Sequence, residues 1–353
     1  MTRNIPNAMR LAFVLSDFYL HPEEQGEPAP AVASLANALR HASSQSLAGD
    51  WRAWLALRHF PATNRAAQVR PTESSLAREF WLSTMRAAAT TTNAPSACWF
   101  AMPVHCHAGL THVQLDARGC LRLNTAEITE LLAAFGRDFA GSGWSLADAG
   151  DGRLLLAASD PVAAVITQPP ERWLGCNIAA ALPLGPGAAR LRAITGEIEL
   201  WLFGAEVNRR RAQNGLPAVT QLWLWDGACN ADWFAARMLG SHDRPRLFGR
   251  DAVAAALVQA QAGVAADLPS QCRDLLDMHA AGLTVALLPT QEPGGPDLAG
   301  FLEQWLSPSL QAMRQGALRS LQLLANGRIF TLRPRDAWRF WRRRLPWYQV
   351  LGA

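Results

Sequence analysis

The first readable pattern in the chain is the uninterrupted apolar run Leu11-Ala-Phe-Val-Leu15, stopped by Ser16-Asp17. A run this short and this continuous predicts a strand buried on both faces, with a polar end that opens onto a loop. The Pro- and Glu-rich residues 21–30 read as that loop. Apolar positions then recur at three- and four-residue steps over 31–42 and 75–89, with Trp51 and Trp54 on a helix between them. The chain therefore opens as strand, loop and helices.

From Cys98 the rhythm changes. Residues 98–105 and 110–115 read as strands, Asn124 followed by Glu127 is a capping-box start for a helix to about 138, and 153–158 and 162–166 continue as strands. The longest helix is expected over 188–214, where Leu191, Ile194, Ile198, Trp201, Leu202 and Ala205 share one face before Gly215 and Pro217 stop it. Residues 221–225 form an apolar strand ending in Asp226-Gly227, and residues 283–288 another, ending in a Gly/Pro-rich loop over 289–296. A helix from 297 to about 315 should break near Pro308, and Asn326-Gly327 between two apolar runs is a hairpin signal. Strands alternating with helices on either side of a different middle block describe an α/β core sheet flanked by helices and interrupted by an inserted α+β module. On this reading residues 1–94 are the first part of the core, 95–214 the insertion with its long helix, 215–335 the returning core and 336–353 a C-terminal segment rich in Arg and Trp.

Composition narrows the chemistry. All 33 residues counted as Lys+Arg are arginine. Schiff-base catalysis, a P-loop and the protein-kinase phosphate lysine are thereby excluded. The 353 residues are half hydrophobic, enough for a large core, yet no apolar run reaches the roughly 18 to 20 residues of a bilayer span. Leu11–Leu15 is too brief for a signal-peptide core, so a cytoplasmic protein is expected. The six cysteines contain no C-x-x-C pair and read as buried thiols. The net charge of +4 is concentrated in residues 331–353, where six arginines face one aspartate.

Several residue groups could carry function. His105-Cys106-His107, with His112 close behind, has metal-ligand chemistry. A strand places His105 and His107 on one side and Cys106 on the other, however, so the three cannot close one tetrahedral site, and no metal is expected there. Asp17 and Asp226, each at a strand end, could hold a divalent ion with Ser16 as nucleophile, or could serve as a cap and a turn residue. Asn208 with Arg209–Arg211 at a helix end could bind a phosphate or carboxylate through guanidinium forks, or could complement the helix dipole. In the tail, Arg339 and Arg342 among Trp338, Phe340, Trp341 and Trp347 suit either nucleic-acid backbones and bases or a packed helix with solvated arginines.

The stretch 197–208, Glu-Ile-Glu-Leu-Trp-Leu-Phe-Gly-Ala-Glu-Val-Asn, and the stretch 215–227, Gly-Leu-Pro-Ala-Val-Thr-Gln-Leu-Trp-Leu-Trp-Asp-Gly, resemble a proteobacterial family labelled cofactor-independent phosphoglycerate mutase-like or RpfE-type regulatory proteins. Met102-Pro-Val-His105 and Trp338-Arg-Phe-Trp-Arg-Arg343 extend the resemblance from about residue 95 to the C-terminus. It implies an alkaline-phosphatase-superfamily core with an inserted module. Archaeal-type mutases of that superfamily use two metals held by Asp and His clusters, and a serine that is transiently phosphorylated. Here residues 290–297, Thr-Gln-Glu-Pro-Gly-Gly-Pro-Asp, follow the 283–288 strand without a histidine, and the last histidine of the chain is His279. Thr220 and Asp226 stand where the family carries asparagine and glycine. The expectation is a catalytically degenerate scaffold that needs no cofactor and binds a small anionic ligand, through His105, Asn208, Arg209, Arg211, Arg339 and Arg342, or a protein partner. The alternatives are an active metal-dependent phosphomutase or phosphatase using Ser16, Asp17 and Asp226, and a nucleic-acid-associated protein acting through its tail.

Overall fold

The computed structural model describes residues 9–20, 29–47, 51–58, 77, 95–150, 152–226, 246–259, 263–278, 282–290, 297–338 and 346–351. The chain divides into two compact units, Met1–His59 together with Leu239–Ala353, and the contiguous stretch Phe60–Met238. The architecture is α/β: a central sheet flanked by helices, with an α+β unit inserted into the chain that forms it. No helix among the described residues is long and apolar enough to cross a membrane.

The first unit is built on a seven-stranded sheet in the order β10-β9-β11-β1-β12-β13-β2. Its strands are β1 (Met9–Val14), β2 (Ser43–Ser46), β9 (Arg246–Phe248), β10 (Val264–Ala266), β11 (Leu283–Leu287), β12 (Leu318–Ala325) and β13 (Arg328–Leu332). Strands β10, β9, β11, β1 and β12 are parallel, whereas β13 and β2 add antiparallel edges. Alternation along β1 shows why its apolar run is unbroken. Leu11, Phe13 and Leu15 enter one core with the Pro30–Leu39 helix, Phe301 and Trp305, and Ala12 and Val14 enter a second with Trp51, Trp54, Leu247 and Val258. Both faces are dry, as a parallel sheet covered by helices requires. The Asn326-Gly327 turn has φ values of 49° and 66°, the doubly left-handed hairpin turn that matches strand twist. The helix break foreseen near Pro308 takes the form of a π-helical widening over Leu302–Leu306, where the Ser307 amide donates to the Leu302 carbonyl. At the C-terminus, the Trp347–Leu351 helix buries Leu351 in the first core.

The second unit carries a four-stranded antiparallel sheet in the order β6-β7-β3-β8, formed by β3 (Ala97–Val104), β6 (Trp144–Gly150), β7 (Arg153–Ala158) and β8 (Gln221–Trp225). One face takes Trp99, Ala101, Leu154, Leu156, Leu222 and Leu224, and against it pack Ile128, Leu131 and Phe135 of the Thr125–Asp138 helix and Leu191, Ile194, Ile198 and Leu202 of the Ala188–Gly204 helix. A separate hairpin pairs β4 (Cys106–Ala108) with β5 (Val113–Leu115).

Three features differ from the sequence reading. Residues 221–225, read as a strand of the returning core, pair antiparallel with β3 inside the second unit, because a five-residue apolar run carries no information on which sheet receives it. The long helix stops at Gly204, with Ala205 in an extended conformation (ψ 139°), and a new helix begins at Glu206. Residues 162–166, read as a strand, contribute only an isolated bridge between Ile166 and Leu184.

Candidate functional site

In parallel α/β sheets, ligands gather outside the carboxyl ends of the strands. In the first unit, β1 runs into Ser16 and the buried Asp17, beside the end of β11. One Asp17 carboxylate oxygen, Oδ1, accepts from both the Thr290 amide at 2.7 Å and the Thr290 hydroxyl at 3.0 Å. The loops after β1 and β11 are thus tied together, reinforced by the Leu288 amide donating to the Val14 carbonyl. After β9, Gly249 (φ 114°) lies so close to β11 that a Cβ would meet Leu287 Cβ at 2.8 Å. Asp251 follows, accepting the Ala254 amide at 2.8 Å as a helix cap and receiving Nε and Nη2 of the buried Arg52 at 3.0 and 2.8 Å. After β10, Asp267 pairs with Arg250 at 3.1 Å. Beyond β11, Asp297 accepts the Gly300 amide at 2.7 Å. Each described acid in the connections that follow β1, β9, β10 and β11 up to the next helix is engaged in holding backbone or balancing an arginine.

Asp226 belongs to the second unit, Asp17 to the first. Asp226 closes β8, where its Oδ1 accepts the Ala77 amide at 2.9 Å and its own amide donates to the Thr167 hydroxyl at 2.8 Å. It ties together distant segments of the second unit.

The second unit also contains the predicted anion cluster. Asn208 donates to the Leu202 and Val219 carbonyls, both at 2.8 Å, and accepts the Val219 amide at 2.7 Å. It closes the broken helix and fixes the segment entering β8. Arg211 is 4% exposed, donates from Nε to the Pro217 carbonyl at 2.7 Å, and pairs through Nη1 with Glu127 at 2.7 Å. Glu127 is also half of the realised capping box with Asn124. Arg209 pairs with Glu206 at 2.6 Å. It lines a groove of about 370 Å³ with Arg137, Trp201, Glu130, Asp138 and Glu206, where three acids offset two arginines and the Trp201 indole already donates to Asp138 at 2.8 Å. Asn208 and Arg211 are therefore engaged inside the unit, whereas Arg209 pairs with Glu206 at the surface. Arg339 and Arg342 lie outside the described residues.

His105, at the junction of β3 and β4, shares a cluster with His107, their ring centroids 4.7 Å apart and their planes at 86°. His105 Nδ1 donates to the Ala218 carbonyl at 2.8 Å, and His107 Nε2 lies 3.5 Å from Asp116 Oδ2. Asp116 follows β5, where its amide donates to the His105 carbonyl at 2.9 Å, and its carboxylate accepts from the Arg118 amide and guanidinium at 2.6–3.1 Å. The Arg118 hydrogen bonds hold the Asp116 carboxyl at about 2, below its ordinary range, although burial opposes them. Cys106 faces away: its amide donates to the Thr220 hydroxyl at 2.7 Å, and its thiol lies 3.4 Å from the Gln221 side-chain Oε1 and is pushed up to about 11 by burial. Sequence reasoning picked out the histidines and missed Asp116 and Arg118, whose only trace is an Asp-x-Arg spacing after a short strand. Ala218 left no trace, since a backbone carbonyl leaves none.

No known family profile matches the chain, and no curated protein matches it. Among solved structures, the cofactor-independent phosphoglycerate mutase from Thermoplasma acidophilum is similar, at 13% identity over 93% of this chain and 90% of that one, with a TM-score of 0.33. A protein from Pyrococcus horikoshii is also similar, at 9% identity over 93% of this chain and 87% of that one, with a TM-score of 0.43. Both likenesses are distant.

Proposed function

We propose that this protein is a catalytically degenerate phosphoglycerate-mutase-like scaffold that acts by binding, with a phosphorylated or carboxylated small molecule or a protein partner as its target. The observation that carries this reading is the engagement of Asp17, Asp251, Asp267 and Asp297, which follow the parallel strands and serve Thr290, a helix cap with Arg52, Arg250 and a second helix cap. Two-metal phosphoryl transfer needs cations clamped about 3.5–4 Å apart by a nearly complete set of acids and imidazoles. Here the described acids that follow those strands hold backbone or pair with arginines, and the chain has no histidine after His279. A scaffold that keeps its sheet and reassigns its acids can still present loops to a ligand.

The test pairs turnover with binding. Purified protein supplied with manganese and 2- or 3-phosphoglycerate is expected to show neither mutase nor phosphatase turnover. A panel of phosphoglycerates, nucleotides and dicarboxylates is expected to yield at least one ligand that raises the melting temperature, as any molecule bound only by the folded state must. Manganese-dependent turnover abolished by Asp17→Ala would replace this reading with an active phosphomutase. Silence across the ligand panel would leave the protein-partner form of the proposal, to be read from co-purification.

A further inference from the structure

We propose that His105 and His107 form a two-imidazole chelating site for a borderline transition-metal dication of the Ni²⁺, Cu²⁺ or Zn²⁺ class. The two residues sit at i and i+2 on extended chain, the spacing that places side chains on the same face. Their ring centroids are 4.7 Å apart. Two imidazoles bound to one ion at M–N distances of about 2.0–2.1 Å, near a right angle, place their centroids roughly 4.5–5 Å apart, a separation within which the observed pair falls.

The partners of the rings argue the same way. A carbonyl can only accept, so the Ala218 contact at 2.8 Å places the His105 proton on Nδ1 and leaves the lone pair on Nε2. The carboxylate of Asp116 lies 3.5 Å from His107 Nε2, and with the proton on that side Nδ1 is the donor to a metal. A ligating histidine ordinarily has its second nitrogen oriented by a carbonyl or carboxylate; here His105 hydrogen-bonds a carbonyl and His107 has a carboxylate 3.5 Å away. Asp116 is fixed for the task by the Arg118 guanidinium and amide. His107 is 54% exposed at its side chain, so an ion can reach it.

The donor set selects the metal class. Cys106 lies against Gln221 and Thr220 and supplies no thiolate, while His112 engages Thr111 near the tip of the β4–β5 hairpin. Two neutral nitrogens without thiolate or carboxylate ligands favour the later first-row dications over Mg²⁺ or Ca²⁺. Among the described residues no group of three His, Cys, Asp or Glu side chains is placed to hold an ion. With only these two described ligands, the remaining coordination positions are left to water or to donor atoms of an incoming ligand.

The experiment is a titration of NiCl₂ into the full-length protein, followed by calorimetry and by paramagnetic broadening of imidazole resonances. One Ni²⁺ per chain is expected, with His105 and His107 broadened together. His107→Gln should weaken binding at least tenfold, His105→Gln should do the same, and His112→Gln should leave affinity unchanged. If His105→Gln fails to fold because Ala218 loses its partner, the exposed His107→Gln decides alone. Retention of affinity in His107→Gln, or absence of saturable Ni²⁺ binding at millimolar concentration, overturns the proposal.

Discussion

At the scale of single residues, the informative outcome is how many candidate ligands are already occupied. Asn208 makes three backbone hydrogen bonds and Arg211 is buried between Pro217 and Glu127, so these two members of the cluster that looks like an anion fork hold the turn into β8. Thr220 has its own use, accepting the Cys106 amide at the start of β4. Asp116 provides a test of one such engagement. Its folded carboxyl titrates at about 2 against an ordinary 3.8, chiefly through hydrogen bonds from Arg118. A lowered carboxylate stabilises the fold above its ordinary range and loses that contribution as pH falls through the folded value. The urea midpoint of the wild-type protein should therefore exceed that of Asp116→Asn at neutral pH, and the two curves should converge between about pH 4 and pH 2. Parallel curves over that range would show that Arg118 does not stabilise the carboxylate.

At the scale of elements, the Asn326 turn illustrates local signal and distant use together. The Asn-Gly pair announces a hairpin, and both residues take the left-handed conformation that such a turn requires. The same asparagine accepts the Leu20 amide at 2.9 Å and donates to the Leu351 carbonyl at 2.6 Å, joining the loop after β1, the hairpin and the C-terminal helix. Asn326→Ala should lower stability by about 2–4 kcal/mol, combining left-handed strain with two lost hydrogen bonds. Asn326→Gly should recover the strain share and leave the hydrogen-bond share, a split that chemical denaturation of the two variants measures. Other elements were legible to different degrees. The apolar run of β1, the capping box at Asn124 and the Pro308 disturbance each have short-range causes, and the structure has all three. The end of the long helix at Gly204 does not, because Asn208 closes it by reaching Val219 eleven residues away.

At the scale of the whole molecule, the chain leaves one compact unit after residue 59, completes another over Phe60–Met238, and then returns. The inserted stretch contains its own sheet, helices and apolar core. Expressed alone, Phe60–Met238 should unfold in a single cooperative transition, as a segment with an independent core does. A non-cooperative thermal melt of that fragment would show that its core is incomplete without the rest of the chain.

Neighbours a few residues apart are enough to show alternating or continuous burial, caps, the left-handed turn and the excluded lysine chemistries. The pattern along the chain also separates an α/β core from a differently patterned middle block. Which sheet receives residues 221–225, and which polar side chains are already committed, follows from contacts in space. Asp17 meets Thr290 across 273 positions, Arg52 meets Asp251 across 199, and Arg211 meets Glu127 across 84. A hydrogen bond is satisfied by proximity in space, so a chain read in one dimension shows the donors and acceptors that exist and leaves their pairing to the fold.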